Sequence, residues 1–356
     1  MKLTWMDQGG TFTDVLQVDG QSVTISKILS SEANLETLGH DGRSCRGTTV
    51  ATNALLERTG VPVVLVTNRG LGDLYLIGDQ RRAELFDRLA HPPASLASAA
   101  LEVDGRIGVD GAVLEAAKLD VSAATDLLRQ GIGSAAVVLL HGPSAPQEEQ
   151  RLAAELKALG FYQVSIGSAL APQRGFIARM QTTLADASLT PLLPRASGEY
   201  IKSDGGLTSE TGPQWSGAHA LLSGPAGGAI AVERLCQQMG IEQAFGLDMG
   251  GTSTDICAVI GGRIRRCSEL VIDGQCIRVP SIEISTIAAG GGSIVHPLRA
   301  MFSKERGVER IDTTKAGAQP VKAESSDGVM QVGPSSAGAN PGPASYGRGG
   351  PATLTD

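Results

Sequence analysis

Two stretches of this chain repeat one pattern of residues suited to gripping a phosphorylated ligand. Asp7-Gln8-Gly9-Gly10-Thr11-Phe12-Thr13-Asp14 and Asp248-Met249-Gly250-Gly251-Thr252-Ser253-Thr254-Asp255 match at six of eight positions, 241 residues apart. Paired glycines supply positive φ and let backbone N–H groups approach an anion with no Cβ in the way. Thr11, Thr13, Ser253 and Thr254 add hydroxyl donors. Asp7 and Asp248 stand at strand ends, where a carboxylate holds hydrated Mg²⁺, directly or through water, against phosphates. A carboxylate beside a triphosphate makes electrostatic sense only with a metal between them.

A tight β-turn by itself accounts for glycine and aspartate, which dominate such turns. It does not account for the threonines and both flanking aspartates appearing twice. Each copy follows a short apolar run, Leu3 to Met6 or Ala244 to Leu247, and precedes another, which reads as strand, glycine hairpin, strand. Two such hairpins facing each other across a cleft are what a two-lobed α/β nucleotide-binding fold of the actin, Hsp70 and sugar-kinase type requires, with mixed sheets flanked by helices. No G-x-x-x-x-G-K-[ST] occurs, which excludes a P-loop. The five histidines (40, 91, 141, 219 and 296) lack the H-x-x-x-H spacing of a helical zinc site and read as surface or satisfied core.

The elements that must position these groups are legible in outline. A chain of 356 residues is long enough for two domains, and its 42% apolar and 19% charged content is that of a globular protein. Its 46 glycines are about 13% of the chain against an average of roughly 7%, and they cluster in turns without a collagen-like period. A net charge of −7 disfavours a nucleic-acid surface. No stretch approaches the ~20 apolar residues of a membrane span, and no charged leader precedes the first strand, so a cytoplasmic protein is expected. Five cysteines without C-x-x-C are expected to be reduced, with Cys257 a small buried hydrophobe.

Residues 1 to 30 read as a β-meander turning again at Asp19-Gly20. Arg46 to Gly60 reads as a helix, started by Thr48 or Thr49 and closed by Gly60. Val61 to Thr67 reads as a strand buried on both faces. Ala135–Leu140 is expected as a strand, Ser144-x-x-Gln147 as a capping box opening a helix through Leu152, Leu156 and Leu159 to Gly160, and Tyr162–Ile166 as the next strand. A boundary falls near 168 to 178, giving an N-terminal lobe over 1–172 and a second lobe over 173–356. In the second lobe Ser223-Gly224-Pro225 opens a helix to about Met239, and its exposed N–H groups suit either an anion or an ordinary capped start. Met301 to about Val332 is polar and weakly patterned.

The chain resembles the A subunit of the hydantoinase/5-oxoprolinase family, whose relatives include subunits of acetone and acetophenone carboxylases. The residues that carry the resemblance are Asp7 to Asp14, Arg46 to Gly60, Gly78 to Arg82, Lys202 to Leu207, Leu222 to Gly228, Leu247 to Ile256, Ala288 to Ser293 and Gly333 to Asp356. Family members run on past the final T-x-T-D, so the chain is expected to be C-terminally short. Ser345 stands where the family usually has cysteine in P-G-P-x-C-Y-G.

The resemblance implies ATP-dependent opening of a cyclic amide or imide, of the 5-oxoproline or hydantoin type, through phosphorylation of the ring carbonyl oxygen. It implies ATP and Mg²⁺ as cofactors and a B-type subunit as partner in a hetero-oligomer, with neither nucleic acid nor membrane as a partner. Asp7 and Asp248 are the expected metal ligands, and with Thr11 and Thr252 they form the catalytic set. Gly9, Gly10, Thr11, Thr13, Gly250, Gly251, Thr252 and Ser253 are expected around the phosphates, with Thr13 and Thr254 also read as hairpin braces. Gly290, Gly291 and Gly292 form either the nucleoside loop or an internal packing turn. Asp14 and Asp255 are read equally as site groups or as residues bonding their own turn. Arg46, Thr48, Thr49 and Asn53 are substrate-side groups or a helix packed at the domain junction. The alternatives are a ketone carboxylase subunit using the same phosphorylation, or a catalytically silent nucleotide-binding module.

Overall fold

The computed structural model describes residues 2–9, 12–30, 42–80, 94–193, 198–209, 212, 214–287, 289–297, 330–338 and 340–356. The described chain opens with β1 (Leu3–Gln8), β2 (Phe12–Asp19), β3 (Ser22–Leu29) and β4 (Arg43–Thr48), then α1 (Val50–Leu56), β5 (Val63–Asn68) and α2 (Leu74–Ile77). There follow β6 (Ala97–Ile107), β7 (Val113–Lys118), α3 (Val121–Arg129), β8 (Ser134–Val137), α4 (Pro146–Leu159), β9 (Gln163–Ile166), α5 (Gly167–Leu170) and α6 (Phe176–Leu189). Next come β10 (Glu199–Ile201), β11 (Leu207–Ser209), α7 (Ser223–Met239), β12 (Gln243–Met249), β13 (Thr254–Ile260) and β14 (Arg263–Ile264). Short strands β15 (Arg266–Cys267), β16 (Leu270–Ile272), β17 (Gln275–Ile277) and β18 (Ser281–Ile282) lead to β19 (Ile284–Ile287), β20 (Ser293–Pro297) and β21 (Met330–Ser336).

The architecture is α/β with mixed sheets. A six-stranded sheet runs β11-β10-β4-β1-β2-β3, with β4 parallel to β1 and the β1–β2–β3 meander antiparallel. A five-stranded sheet runs β7-β6-β5-β8-β9 and is parallel from β6 to β9. A third sheet holds β12, β13 and β14, with β19 also pairing β13. All six residues of β5 are buried, as a strand covered on both faces requires. Val63 and Leu65 meet Met180 and Leu184 of α6, whereas Val64 and Val66 meet Leu152 and Leu156 of α4. Each such side chain contributes about 1.5–3 kcal/mol by leaving water.

α6 is almost wholly buried because it serves two cores. Met180, Leu184 and Ala187 pack on the five-stranded sheet, while Ala185 and Leu189 pack against Ala51, Ala54 and Leu55 of α1. Asp186 ties the layers together, accepting from the Ser165 hydroxyl at 2.6 Å, Thr190 at 3.2 Å and the Ala218 N–H at 3.1 Å. The division drawn at residue 172 thus falls just before a helix that packs on the five-stranded sheet. Beyond it, β10 and β11 complete the sheet that carries the N-terminal hairpin.

Two local expectations are corrected. Arg46, Gly47 and Thr48 belong to β4, and the helix begins only at Val50; it ends at Leu56, with Glu57 as its C-cap and Arg58 left-handed at φ 56°, not at Gly60. Parallel pairing with β1 claims the first residues, because Asp7 and Gln8 stand opposite Gly47 and Thr48. Ser144 forms no capping box: it lies in a 3₁₀ turn over Gly142–Ser144, and Ala145 is the N-cap of α4 without a side-chain bond. Pro146 opens that helix with no N–H to satisfy, which lowers the demand for a cap. Among the described residues no helix is long and apolar enough to cross a membrane.

Candidate functional site

The two glycine hairpins fold alike. The Gly9 N–H donates to the Phe12 carbonyl at 3.0 Å, and the Gly250 N–H donates to the Ser253 carbonyl at 2.9 Å, each closing the turn between paired strands. Asp7 pairs with Asp14 in the first register and Asp248 with Asp255 in the second. Gly10 and Thr11, expected at the first phosphate turn, lie outside the described residues. Gly250, Gly251 and Thr252 are exposed and Ser253 is half-buried, which leaves the second turn accessible to a ligand.

Threonines brace both turns from beneath. Thr13 is fully buried; its hydroxyl lies 3.0 Å from that of Ser30, which donates to the Gly9 carbonyl at 2.8 Å. That geometry makes Thr13 a brace with no face toward a phosphate. Thr254, also buried, donates to the Ala289 carbonyl at 2.6 Å and so ties the second turn to the glycine loop. The outer aspartates bond across the sheet and not within their own turns. Asp14 takes Lys27 of β3 at 2.7 Å, and Asp255 accepts from Thr286 of β19 at 2.6 Å. In each case the partner is the residue directly opposite in the neighbouring strand.

Asp7 lies within electrostatic reach of the second hairpin. Its carboxyl titrates above the ordinary aspartate value, first because surrounding atoms desolvate it, then because the charges of Asp248 and Asp14 oppose its ionisation; Lys27 acts the other way. The influence of Asp248, from 241 positions along the chain, places both motif aspartates in one electrostatic neighbourhood. Backbone crowds the same carboxylate. A Cβ at Gly224 would stand 2.9 Å from Asp7 Oδ1, and one at Gly47 would stand 3.2 Å away. Sequence reasoning missed this glycine cradle, although both residues sit in motifs it singled out.

Asp255 is likewise pushed up by burial and by Asp248, with the Thr286 hydroxyl opposing the shift. A cavity of about 210 Å³ between α7 and the β12–β13 hairpin is lined by Pro225, Gly228, Ala229 and Val232 on one side and by Asp248 and Asp255 on the other. Among the described residues no three His, Cys, Asp or Glu side chains are arranged as a protein-only metal cage. Carboxylates gathered in this way suit a hard cation that keeps most of its water, which is the ordinary habit of Mg²⁺.

The polar groups of the Arg46–Gly60 motif form a junction. Ser223 Oγ donates to the Thr48 carbonyl at 2.7 Å and accepts the Thr48 N–H at 3.0 Å, while the Leu222 N–H donates to Thr52 Oγ1 at 2.9 Å. Thr49 Oγ1 donates to the Gln8 carbonyl at 3.2 Å, and Asn53 donates to Thr49 at 3.3 Å. Arg46 is buried in β4. These bonds fix the start of α7 against the base of the first hairpin. Of the histidines, His219 is buried with Nδ1 2.9 Å from Ser216 Oγ, a satisfied core residue.

Gly290, Gly291 and Gly292 pack directly on the second turn. The Gly291 and Gly292 N–H groups donate to the Gly250 and Gly251 carbonyls at 2.9 and 2.7 Å. The final T-x-T-D buttresses this loop: Thr355 Oγ1 donates to the Gly291 carbonyl at 2.7 Å, and Asp356 accepts the N–H groups of Ala344, Ser345 and Thr353 at 3.1, 2.6 and 2.8 Å. Those bonds hold the Asp356 carboxyl down to about 2. A depressed carboxyl stabilises above its unfolded value and loses that contribution as pH falls toward the folded one. The clasp around Ala344, Ser345 and Thr353 is therefore expected to open between about pH 4 and pH 2, read as accelerated amide exchange at those residues, and Asp356→Asn to open it at neutral pH.

Comparison with known proteins follows the same geography. The family described as Hydantoinase/oxoprolinase matches residues 186–323 and 308–356, and the Hydantoinase/oxoprolinase N-terminal region matches 43–160. The chain belongs to the hydantoinase/oxoprolinase family. A 5-oxoprolinase of Saccharomyces cerevisiae is 31% identical over 99% of this chain and 31% of its own length. The caprolactamase subunit alpha of Pseudomonas jessenii is 32% identical over 99% of this chain and 53% of its own. The chain thus spans about a third to a half of the length of these relatives. The crystal structure of the ATP-dependent caprolactamase from the same organism superposes with a TM-score of 0.68 at 30% identity, covering 99% of this chain and 54% of that one. Nucleotide-free acetone carboxylase superposes at 0.72 with 20% identity, covering 95% and 51%, a likeness of fold.

Proposed function

We propose that this chain is the ATP-using component of an enzyme that hydrolyses a cyclic amide or imide. The observation that carries the reading is that the start of α7 borders both hairpin aspartates, Gly224 against Asp7 and Pro225 in the cavity that Asp248 lines, with Asp248 close enough to act on the charge of Asp7. A pair of phosphate turns converging in this way suits a two-lobed nucleotide fold with the triphosphate between them. The similarity to 5-oxoprolinases and to an ATP-dependent caprolactamase supports the substrate class.

In this reading Gly251 and Thr252 turn their N–H groups to the phosphates from an exposed turn that Gly250 closes, and Gly10 and Thr11 do so from the other hairpin, which Gly9 closes. Asp7 and Asp248 are the residues that would hold Mg²⁺, which would spread the charge that builds on the transferring phosphoryl group. The loop at Gly290 to Gly292 fixes the second turn and borders the nucleoside. The γ-phosphoryl group moves to the ring carbonyl oxygen and ADP departs. Water then adds to the activated carbon, the ring C–N bond breaks, and hydrolysis of the resulting acyl phosphate yields carboxylate and inorganic phosphate. A B-type subunit completes the assembly.

The test is ATP hydrolysis by the purified chain with its partner subunit and Mg²⁺, in the presence of 5-oxoproline, a hydantoin or caprolactam. One ring opened per ATP consumed is the expected result. Hydrolysis that no ring compound stimulates would remove the proposal.

A further inference from the structure

The two hairpins are built alike, but their outer aspartates are not neutralised alike. Asp14 stands opposite Lys27 and forms an ion pair with it at 2.7 Å. At the matching place opposite Asp255 the neighbouring strand carries Thr286, whose hydroxyl occupies one carboxylate oxygen at 2.6 Å. Among the described residues no cation pairs with Asp255, and its second oxygen accepts no hydrogen bond. Strand alternation sets Asp255 and Cys257 on one face with their cross-strand partners Asp248 and Gly246, and that face looks onto α7. The helix answers with Pro225, Gly228, Ala229 and Val232, spaced as one helical face, and its small residues leave the gap unfilled. At Gly246 the two layers close: a Cβ there would stand 2.6 Å from Cys257 Sγ and 3.0 Å from Val232 Cγ2. The 210 Å³ cavity thus has an apolar floor and an acidic rim made by Asp248 and Asp255, and none of its described lining residues is positively charged.

We infer that this cavity seats the substrate ring, methylenes on the floor and the ring N–H donated to Asp255, and that it selects lactams without a carboxylate of their own. The ligand class rests on the ring-opening function proposed above; the orientation and the charge preference come from the cavity. An apolar cavity of about 150 Å³ takes benzene, so 210 Å³ accommodates a ring of that size with room for its carbonyl. A carboxylate accepts hydrogen bonds and donates none, so the N–H turns to Asp255 and the carbonyl lies beside it. In a small ring the amide is cis, and both groups leave from the same edge. That edge meets the rim on the side of the second glycine turn. Drawing the N–H toward a carboxylate pushes electron density onto the carbonyl oxygen, the atom that attacks phosphorus in the proposed reaction. An open-chain amide is trans, with N–H and C=O on opposite edges, and cannot present both to one rim. In 5-oxoproline the carboxylate sits on the carbon next to nitrogen, which brings it against Asp255, and like charges set side by side oppose binding.

Ligand-observed NMR on the full chain without nucleotide compares three probes: pyrrolidin-2-one, its N-methyl derivative and 5-oxoproline. Pyrrolidin-2-one is expected to bind, and the other two about ten-fold or more weakly, since one lacks the N–H and the other adds a carboxylate. Asp255→Asn keeps the shape and removes the charge, so 5-oxoproline should gain on pyrrolidin-2-one by about ten-fold or more, a reversal of preference that a purely structural aspartate would not give. Ala229→Leu, which fills the cavity, should abolish binding of pyrrolidin-2-one, with Tm reporting that the variant is folded. The comparison on the unaltered chain decides the matter without any variant. Pyrrolidin-2-one that fails to bind, 5-oxoproline that binds as well, or an N-methyl derivative that binds equally overturns the inference. Ring-stimulated ATP hydrolysis is scored separately. Turnover of 5-oxoproline in preference to pyrrolidin-2-one keeps the proposed function and removes this assignment, whereas the expected order of binding without turnover does the reverse.

Discussion

Asp7→Asn is expected to abolish ring-dependent ATP turnover while making the folded chain more stable at neutral pH. The stability half follows from the direction of titration. A carboxyl whose folded-state value lies above its unfolded one is held as the acid more tightly in the native protein, so native stability falls as pH rises through that window. At neutral pH the ionised Asp7 is a net cost to the fold, for it is desolvated and set beside Asp248 and Asp14. The neutral amide keeps the shape and removes the charge, and Tm should rise. The activity half follows from the proposed role: losing one preorganised charge at a phosphoryl-transfer site costs about 10²–10³ in kcat. Mg²⁺ should raise the Tm of the parent chain by binding the folded form, and this increment should disappear in the variant. Thermal scans with and without Mg²⁺, set beside kcat, separate a ligand-binding aspartate from a structural one. A variant that is less stable and still turns over ATP would show that Asp7 serves the fold.

Gly290→Ala is expected to collapse nucleotide binding from a position that need not touch the nucleotide. Its added Cβ would lie 2.7 Å from both the Gly250 carbonyl oxygen and the Thr252 nitrogen, and 2.8 Å from the Gly251 carbonyl carbon. All three contacts are backbone of the second glycine turn, so relief comes only by displacing that turn. Overpacking of this sort costs about 1–3 kcal/mol. The larger consequence is functional, because displaced N–H groups no longer converge; ATP affinity measured by calorimetry should fall by about ten-fold or more, the equivalent of roughly 1.4 kcal/mol. Gly228→Ala is the matched control. A Cβ there meets nothing within 4 Å and the residue lies inside α7, so alanine should stabilise by about 0.5–1 kcal/mol through its better helix propensity. Equal effects at the two glycines would refute the assignment of the Gly290 loop as a buttress of the turn.

The repeated octapeptide, the threonine braces and the glycine-rich loop were all legible in the sequence because they are local. Hairpin chemistry is written in adjacent residues: glycines where backbone must approach backbone, aspartates at strand ends, apolar alternation on either side. β5 was equally plain, since a run of β-branched residues has no exposed face to offer. What sequence misread was also local in appearance but decided elsewhere. Arg46 to Thr48 have no intrinsic objection to a helix, and they became strand because β1 offers them a parallel ladder. Ser144 had the spacing of a cap, yet Pro146 removed the first donor it would have served.

Sequence by itself thus determined that this chain carries two equivalent glycine hairpins on α/β elements, because turn geometry and strand periodicity are set by neighbours along the chain. Only the tertiary structure decided that Asp7 feels Asp248, that Gly47 and Gly224 crowd Asp7, and that β4 joins β1 in a parallel ladder. Those facts depend on packing between residues up to 241 positions apart. Burial, and with it the energy of a charge, belongs to the space around a side chain and not to its place in the sequence.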